Sequence, residues 1–250
     1  MYVPERDTMD DSLVNVSYIC TDKSGFTEND KTFGMANDDW YRNKGWNDEI
    51  ELEFRTRLNR SIHLYNKTQY LRIQADYLLG SSNPVIQGVG LSMMNELLSD
   101  YPDIDGVIVN KFDALVGLAD YFYKKQEYEE AFVHYKKAIG YDKKKTHNQE
   151  HAYRGFIKSA VLSKNEKAYH VGLNYLDGTT ISSLLLLSEV YDHSLAAAML
   201  YEAVGNIEAA KYFASIALKS LEQESKIHPK DKPLAYEDEK QFLINLSTNA

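Results

Sequence analysis

The stretch Phe112-Asp113-Ala114-Leu115-Val116-Gly117-Leu118-Ala119-Asp120-Tyr121-Phe122 decides the fold. Small Ala119 follows Leu118, and the aromatic Phe122 comes three residues later, on the same side of a helix. Lys124-Lys125-Gln126-Glu127 makes a turn, after which Tyr128, Ala131, Tyr135 and Ala138 resume helical spacing. The physical logic is that of a helix pair. Small residues at 119 and 131 let two antiparallel helices approach closely, while the aromatics fill the wedge toward the next pair.

These seven positions resemble the tetratricopeptide repeat, a unit of about 34 residues that sets Leu and a small residue before an aromatic, then Ala, aromatic, Ala. A second unit lies at 191–224. There Ala197, Ala198 and Tyr201 stand where Leu118, Ala119 and Phe122 stood, and Gly205-Asn206-Ile207 forms the turn. Ala210 and Ala217 take the small sites, while Ala214 replaces an aromatic and is expected to weaken that contact. Leu71, Ala75 and Leu78 mark a degenerate unit near 68–99, and Tyr153, Phe156, Ala160, Ala168, Leu173 and Leu176 mark another over 149–176. Ala75 and Ala119 are 44 residues apart, so the spacing is irregular. The resemblance implies an all-α, tetratricopeptide-like solenoid of antiparallel helix pairs.

Upstream, Ile50, Phe54, Leu58, Ile62 and Tyr65 fall at helical spacing and predict one helix over 49–65. Helix continues over 70–79, Gly80-Ser81-Ser82-Asn83-Pro84 ends it, and a second helix follows over 85–99. Polar breaks are expected at 142–148, 163–166, 177–180, 204–206 and 228–233, and no period-two pattern recurs to predict a sheet. Asp39-Trp40-Tyr41-Arg42-Asn43, Trp46-Asn47-Asp48-Glu49 and Lys67-Thr68-Gln69-Tyr70-Leu71 resemble the opening of a family of bacterial tetratricopeptide-repeat proteins, a likeness that carries no activity with it. It is closest over 35–145. In such proteins the Trp-Asn segment lies near the initiator methionine; Met35 stands just upstream here, so residues 1–34 are read as an extension or a gene-start artefact.

The organisation expected is therefore an acidic, weakly ordered arm at 1–38, a helical-repeat domain at 39–227 and a capping helix or tail at 228–250. The arm holds eight acids against Arg6, Lys23 and Lys31, which is −5 of the chain's net −9. Its one pattern, Leu13 through Cys20, suits an edge strand or a docked extension.

Composition narrows the function. The chain has 250 residues, 44% hydrophobic and 26% charged, which suits a packed globular protein. No apolar run approaches the roughly 20 residues of a membrane span, and the first residues, Met1-Tyr2-Val3-Pro4-Glu5-Arg6-Asp7, lack the pattern of a secretory signal. A cytoplasmic protein is expected. The net charge argues against nucleic acid, which needs clustered Lys and Arg. The single Cys20 excludes an internal disulfide and a multi-cysteine zinc site.

Catalytic patterns are sparse. His147-Asn148-Gln149-Glu150-His151 fits the H-x-x-E-H arrangement in which two histidines bind zinc and the glutamate activates water. It follows Lys143-Lys144-Lys145 at a helix entrance and shows no further ligand, so a solvated helix start is the competing reading and a zinc hydrolase the alternative function. There is no phosphate-binding loop and no G-x-S-x-G elbow; Gly88-Val89-Gly90 lacks a third glycine. No cofactor is implied. Most of the 19 tyrosines fall at or beside packing positions.

The expectation is a non-catalytic module that binds a protein or peptide along the first helix of each pair. That face presents Gln69, Arg72 and Asp76, then Asp113, Val116, Asp120, Tyr123 and Lys124, then Asp192, Leu195, Met199 and Glu202. Acids mixed with aromatic and apolar groups suit a basic partner with a few apolar anchors. A narrower form is an immunity-type protein that neutralises a basic toxin.

Overall fold

The computed structural model describes residues 39–141, 149–179, 184, 186–227 and 237–248. The expected arm at 1–38, its strand at 13–20 and the breaks at 142–148 and 228–233 lie outside the described residues. Those residues fold into helices, with no strand among them: α1 (Asp48–Arg60), α2 (Leu64–Leu79), α3 (Pro84–Asp100), α4 (Val107–Lys124), α5 (Tyr128–Ile139), α6 (Gln149–Leu162), α7 (Tyr169–Asp177), α8 (Leu187–Ala203), α9 (Ile207–Ile227) and α10 (Glu237–Thr248). A short 3₁₀ turn at Glu166–Ala168 precedes α7.

The helices pack in adjacent pairs, α2 with α3, α4 with α5, α6 with α7 and α8 with α9. The first helices of these pairs also touch in sequence, α2 to α4, α4 to α6 and α6 to α8, so they share one face of the protein. The close-approach positions are small and sealed. Ala119, Ala131 and Ala138 are fully buried, and so are Ala196, Ala197 and Ala198 of α8 and Ala210, Ala214 and Ala217 of α9.

Three of the pairs turn in the same way. Gln126, Lys164 and Gly205 each have positive φ, at 62°, 56° and 80°. In each case the next residue's N–H reaches back five residues: Glu127 to the Phe122 carbonyl (2.9 Å), Asn165 to Ala160 (2.8 Å) and Asn206 to Tyr201 (2.8 Å). This is the Schellman ending, in which a left-handed residue lets the chain close off orphan carbonyls. Glycine is the natural occupant, and Gly205 is one; Gln126 and Lys164 take the same conformation with a side chain. The α2–α3 turn differs, because Gly80 stays right-handed and Pro84 opens the next helix after Asn83 caps it.

The structure corrects the single helix expected over 49–65. α1 ends at Arg60, Ser61 is extended, and α2 starts at Leu64. No glycine or proline marks the break. Phe54 and Leu58 join the core formed by α2 and α3, whereas Ile62 in the connection is 90% exposed. Tertiary packing, which local spacing does not report, ends this helix. Trp40 docks on Phe54 and Tyr70 with ring centres 5.4 and 5.0 Å apart, closing the core's N-terminal end.

The expectation for Ala214 is also revised. It is fully buried in one apolar cluster with Leu195, Met199, Leu243 and Leu246, so a small residue there accommodates α10 instead of leaving a weak contact.

Candidate binding groove

The face shared by α2, α4, α6 and α8 carries a chain of charged groups. Helical spacing sets His151, Arg154 and Lys158 of α6 on one side, at i, i+3 and i+7, and they meet acids from both neighbours. His151 Nε2 lies 3.1 Å from Asp120 Oδ1 of α4, and its Nδ1 lies 3.9 Å from Asp192 of α8. Asp192 accepts from Arg154 Nε at 3.0 Å and from Lys158 Nζ at 2.5 Å. Tyr135 of α5 donates its hydroxyl to Asp120. The Tyr135 ring reaches there across Gly155: a Cβ at that glycine would stand 2.2 Å from the ring.

α10 extends the network. Glu239 accepts from Tyr123 of α4 at 3.3 Å and from Tyr191 of α8 at 3.1 Å, and lies 3.9 Å from Lys158.

The electrostatics follow from this pairing. Burial works against the Asp192 charge, but Lys158, Arg154 and His151 outweigh it and hold the carboxyl well below the ordinary range. For Asp120, burial is likewise outweighed by His151 and the Tyr135 hydroxyl, and its pKa is lowered. Burial pulls His151 down, yet Asp120 and Asp192 raise it above its ordinary value. Lys158 also rises despite burial, because Asp192 and Glu239 stand beside it. Burial pushes the Tyr123 and Tyr191 hydroxyls up, with Glu239 adding to both, so they remain donors. Burial and the Arg154 guanidinium push His193 of α8 down to about 4.

At the α2 end the balance differs. Arg72 lies 3.0 Å from Asp76 and 3.6 Å from Asp113. Burial raises the Asp76 pKa to about 6; Arg72 opposes this, while Asp113 and Asp120 add to it.

Two cavities flank the network. One, of about 270 Å³, is lined by His151, Arg154, Lys158, Tyr191, Asp192 and Glu239, with Ser188 and Glu189. The other, of about 320 Å³, is mainly apolar and lies between the ends of α4 and α6, α8 and α10.

The structure therefore separates the residues expected to bind. Gln69, Arg72, Asp76, Asp113, Val116, Asp120, Tyr123 and Asp192 are half-buried on the shared face, and Lys124 and Glu202 are exposed at its edge. Leu195 and Met199 are buried, at 0% and 7% exposure, because α10 covers this part of α8; they border the larger cavity instead of an open surface. Asp120, Tyr123 and Asp192 are engaged within the protein.

Spacing applied to α4 and α8 missed their partners Arg154, Lys158, Tyr191 and Glu239. The same spacing applied to α6 finds His151, Arg154 and Lys158. Of the zinc-like string, His147 lies outside the described residues, Glu150 is exposed, and His151 is held by two aspartates instead of standing at a solvated helix start. Among the described residues no group of three His, Cys, Asp or Glu side chains is placed to hold a metal ion, and no helix is long and apolar enough to cross a membrane. No protein-family model matches the chain, no curated protein matches its sequence, and no solved structure matches its fold.

Proposed function

We propose that this chain is a tetratricopeptide-like helical-repeat protein, without catalytic activity, that binds a protein or peptide along the face shared by α2, α4, α6 and α8. Three equivalent turns at Gln126, Lys164 and Gly205 support the repeat reading. The observation that carries the binding reading is the cavity of about 320 Å³ at the edge of that face, bordered by Tyr123, Lys124, Leu195, Met199 and Glu202 of the expected surface. Pockets of this size, apolar with a few polar groups and set between helices, are where ligands and anchor side chains commonly bind. The immunity form of the proposal, a compact acidic protein that covers a basic toxin, rests on the net charge of −9.

Photo-crosslinking residues test which face is used. Introduced at Gln69 or Lys124, they sit on or beside the shared face; at Lys137 or Tyr212 they sit on the second helices of their pairs. The expected result is a discrete crosslinked partner from the first two positions and none from the second two. Crosslinks confined to Lys137 and Tyr212 would move the binding surface to the opposite helices and end this reading.

A further inference from the structure

The larger cavity has a composition that names what enters it. Its walls are apolar or aromatic: Tyr123, Tyr128, Val161, Leu195, Met199 and Phe242. Its rim carries Glu202, Asp238 and Glu239 against Lys124. Glu239 is engaged by Tyr123, Tyr191 and Lys158. Among the described residues no ion pair engages Glu202 or Asp238, and both are exposed. The contrast with the neighbouring network is sharp, since there each carboxylate faces a cation or a hydroxyl. The aromatic wall also tolerates positive charge: Lys158 Nζ already lies 5.3 Å from the Tyr123 ring centre, and Tyr128 meets that ring edge-on at 5.3 Å. Ring faces attract cations, and the attraction grows as water is excluded.

We propose that this cavity is the anchor subsite for a basic segment of a partner protein, one that sets an aromatic or long aliphatic side chain beside lysine or arginine. The apolar side chain enters between Tyr123, Leu195, Met199 and Phe242. Its cationic neighbours lie against Glu202 and Asp238. Because α10 supplies Phe242 and Asp238, the subsite exists only with that helix in place. The inference rests on the binding reading above and narrows it to one partner chemistry.

Titration calorimetry with three synthetic pentapeptides tests this on the full chain: tryptophan flanked by lysines, alanine flanked by lysines, and tryptophan flanked by glutamates. The lysine–tryptophan peptide is expected to bind, and each of the other two to bind at least about tenfold more weakly, as for loss of a buried anchor or reversal of charge. Met199→Trp, which fills the cavity from within, should remove binding. The double change Glu202→Lys with Asp238→Lys touches only exposed positions and should weaken binding to a similar degree with helix content unchanged, which guards against a fold defect in the first variant.

Three results overturn the inference: no heat with the lysine–tryptophan peptide at millimolar concentration, equal binding of the tryptophan and alanine peptides, or undiminished binding by the charge-reversed variant. If crosslinks from Gln69 still capture a partner in that case, the shared face is the binding surface and only the subsite is wrong. If the peptide binds as expected while crosslinks arise only from Lys137 and Tyr212, the subsite stands and the wider face does not.

Discussion

At the α6–α8 end of the shared face, one carboxylate, Asp192, meets Arg154, Lys158 and His151. At the α2–α4 end, Arg72 is set between Asp76 and Asp113, with Asp120 near enough to act on Asp76. Both sites take acids out of water, but they resolve the penalty in opposite ways. Where several cations surround the carboxylate, it stays ionised and its pKa falls. Where one cation serves a cluster of acids, the carboxylate holds its proton up to about pH 6. Burial alone therefore does not tell which charged residues of this protein are structural; the count of opposite charges around them does.

The largest expected effect falls on the saturated end. Asp192→Asn removes the negative charge, and one of the two acceptor oxygens, facing side chains that are only 6% and 13% exposed, Arg154 and Lys158. Leaving buried cations without their anion costs about 3–5 kcal/mol. Chemical denaturation at neutral pH should show that loss, and a change below ~1 kcal/mol, the scale of exposed pairs, would mean the network is solvated and the contrast false.

Next in size is the contact that aims Tyr135 at Asp120. Gly155→Ala sets a methyl group where the ring now lies. Overpacking of this kind costs about 1–3 kcal/mol. In the Tyr135→Ala background the same Gly155→Ala change should cost little, because the colliding ring is gone, and the shortfall from additivity measures the coupling. An additive pair would show that Gly155 and Tyr135 do not meet.

The sequence made much of this architecture legible. Leu118, Ala119, Ala131, Tyr135 and Ala138 announced a close helix pair because small and aromatic residues at fixed spacing have few other uses. Of the five polar breaks expected, 163–166 and 204–206 are turns in the structure, at Lys164 and Gly205, while 142–148 and 228–233 lie outside the described residues. The end of α1 at Arg60 was not legible, since it depends on Phe54 and Leu58 finding α2 and α3. A capping helix or tail is expected at 228–250, but the contacts of α10 were not legible. Leu243 and Leu246 reach the cluster containing Leu195 and Met199 from some fifty residues downstream, and no local pattern signals such a contact. The candidate site was half legible for the same reason. Helix periodicity places Asp120, Tyr123 and Asp192 on one face, but it is silent on whether Lys158, His151 or Glu239 arrives to neutralise them.

A third test concerns pH. His151 has its folded pKa raised above the unfolded value near 6.5, so its ion pairs with Asp120 and Asp192 stabilise fully below that value. The contribution fades as pH rises through the folded pKa. His151→Gln should therefore be less stable than wild type at pH 6 by up to ~1 kcal/mol, given that the ring is half-exposed. The gap should narrow as pH rises through the folded pKa. A gap that is constant with pH would assign His151 a packing role only.

The smallest effect, and the sharpest on the comparison, is at Asp76. Its folded pKa of about 6 exceeds the ordinary 3.8, so the native state binds a proton that the unfolded chain releases. Stability contributed by that proton is present below about pH 4 and is lost as pH rises through 6. Asp76→Asn keeps the shape and removes the titration. The variant should match wild type near pH 4 and be the more stable protein at pH 7.5, opposite in direction to Asp192→Asn at the same pH. Because the Asp76 side chain is 39% exposed, solvent screening keeps the gain small. Thermal melts of both variants across that range read the two signs directly. If Asp76→Asn is destabilised at pH 7.5, Arg72 outweighs the neighbouring acids, and the two ends of the face are matched alike.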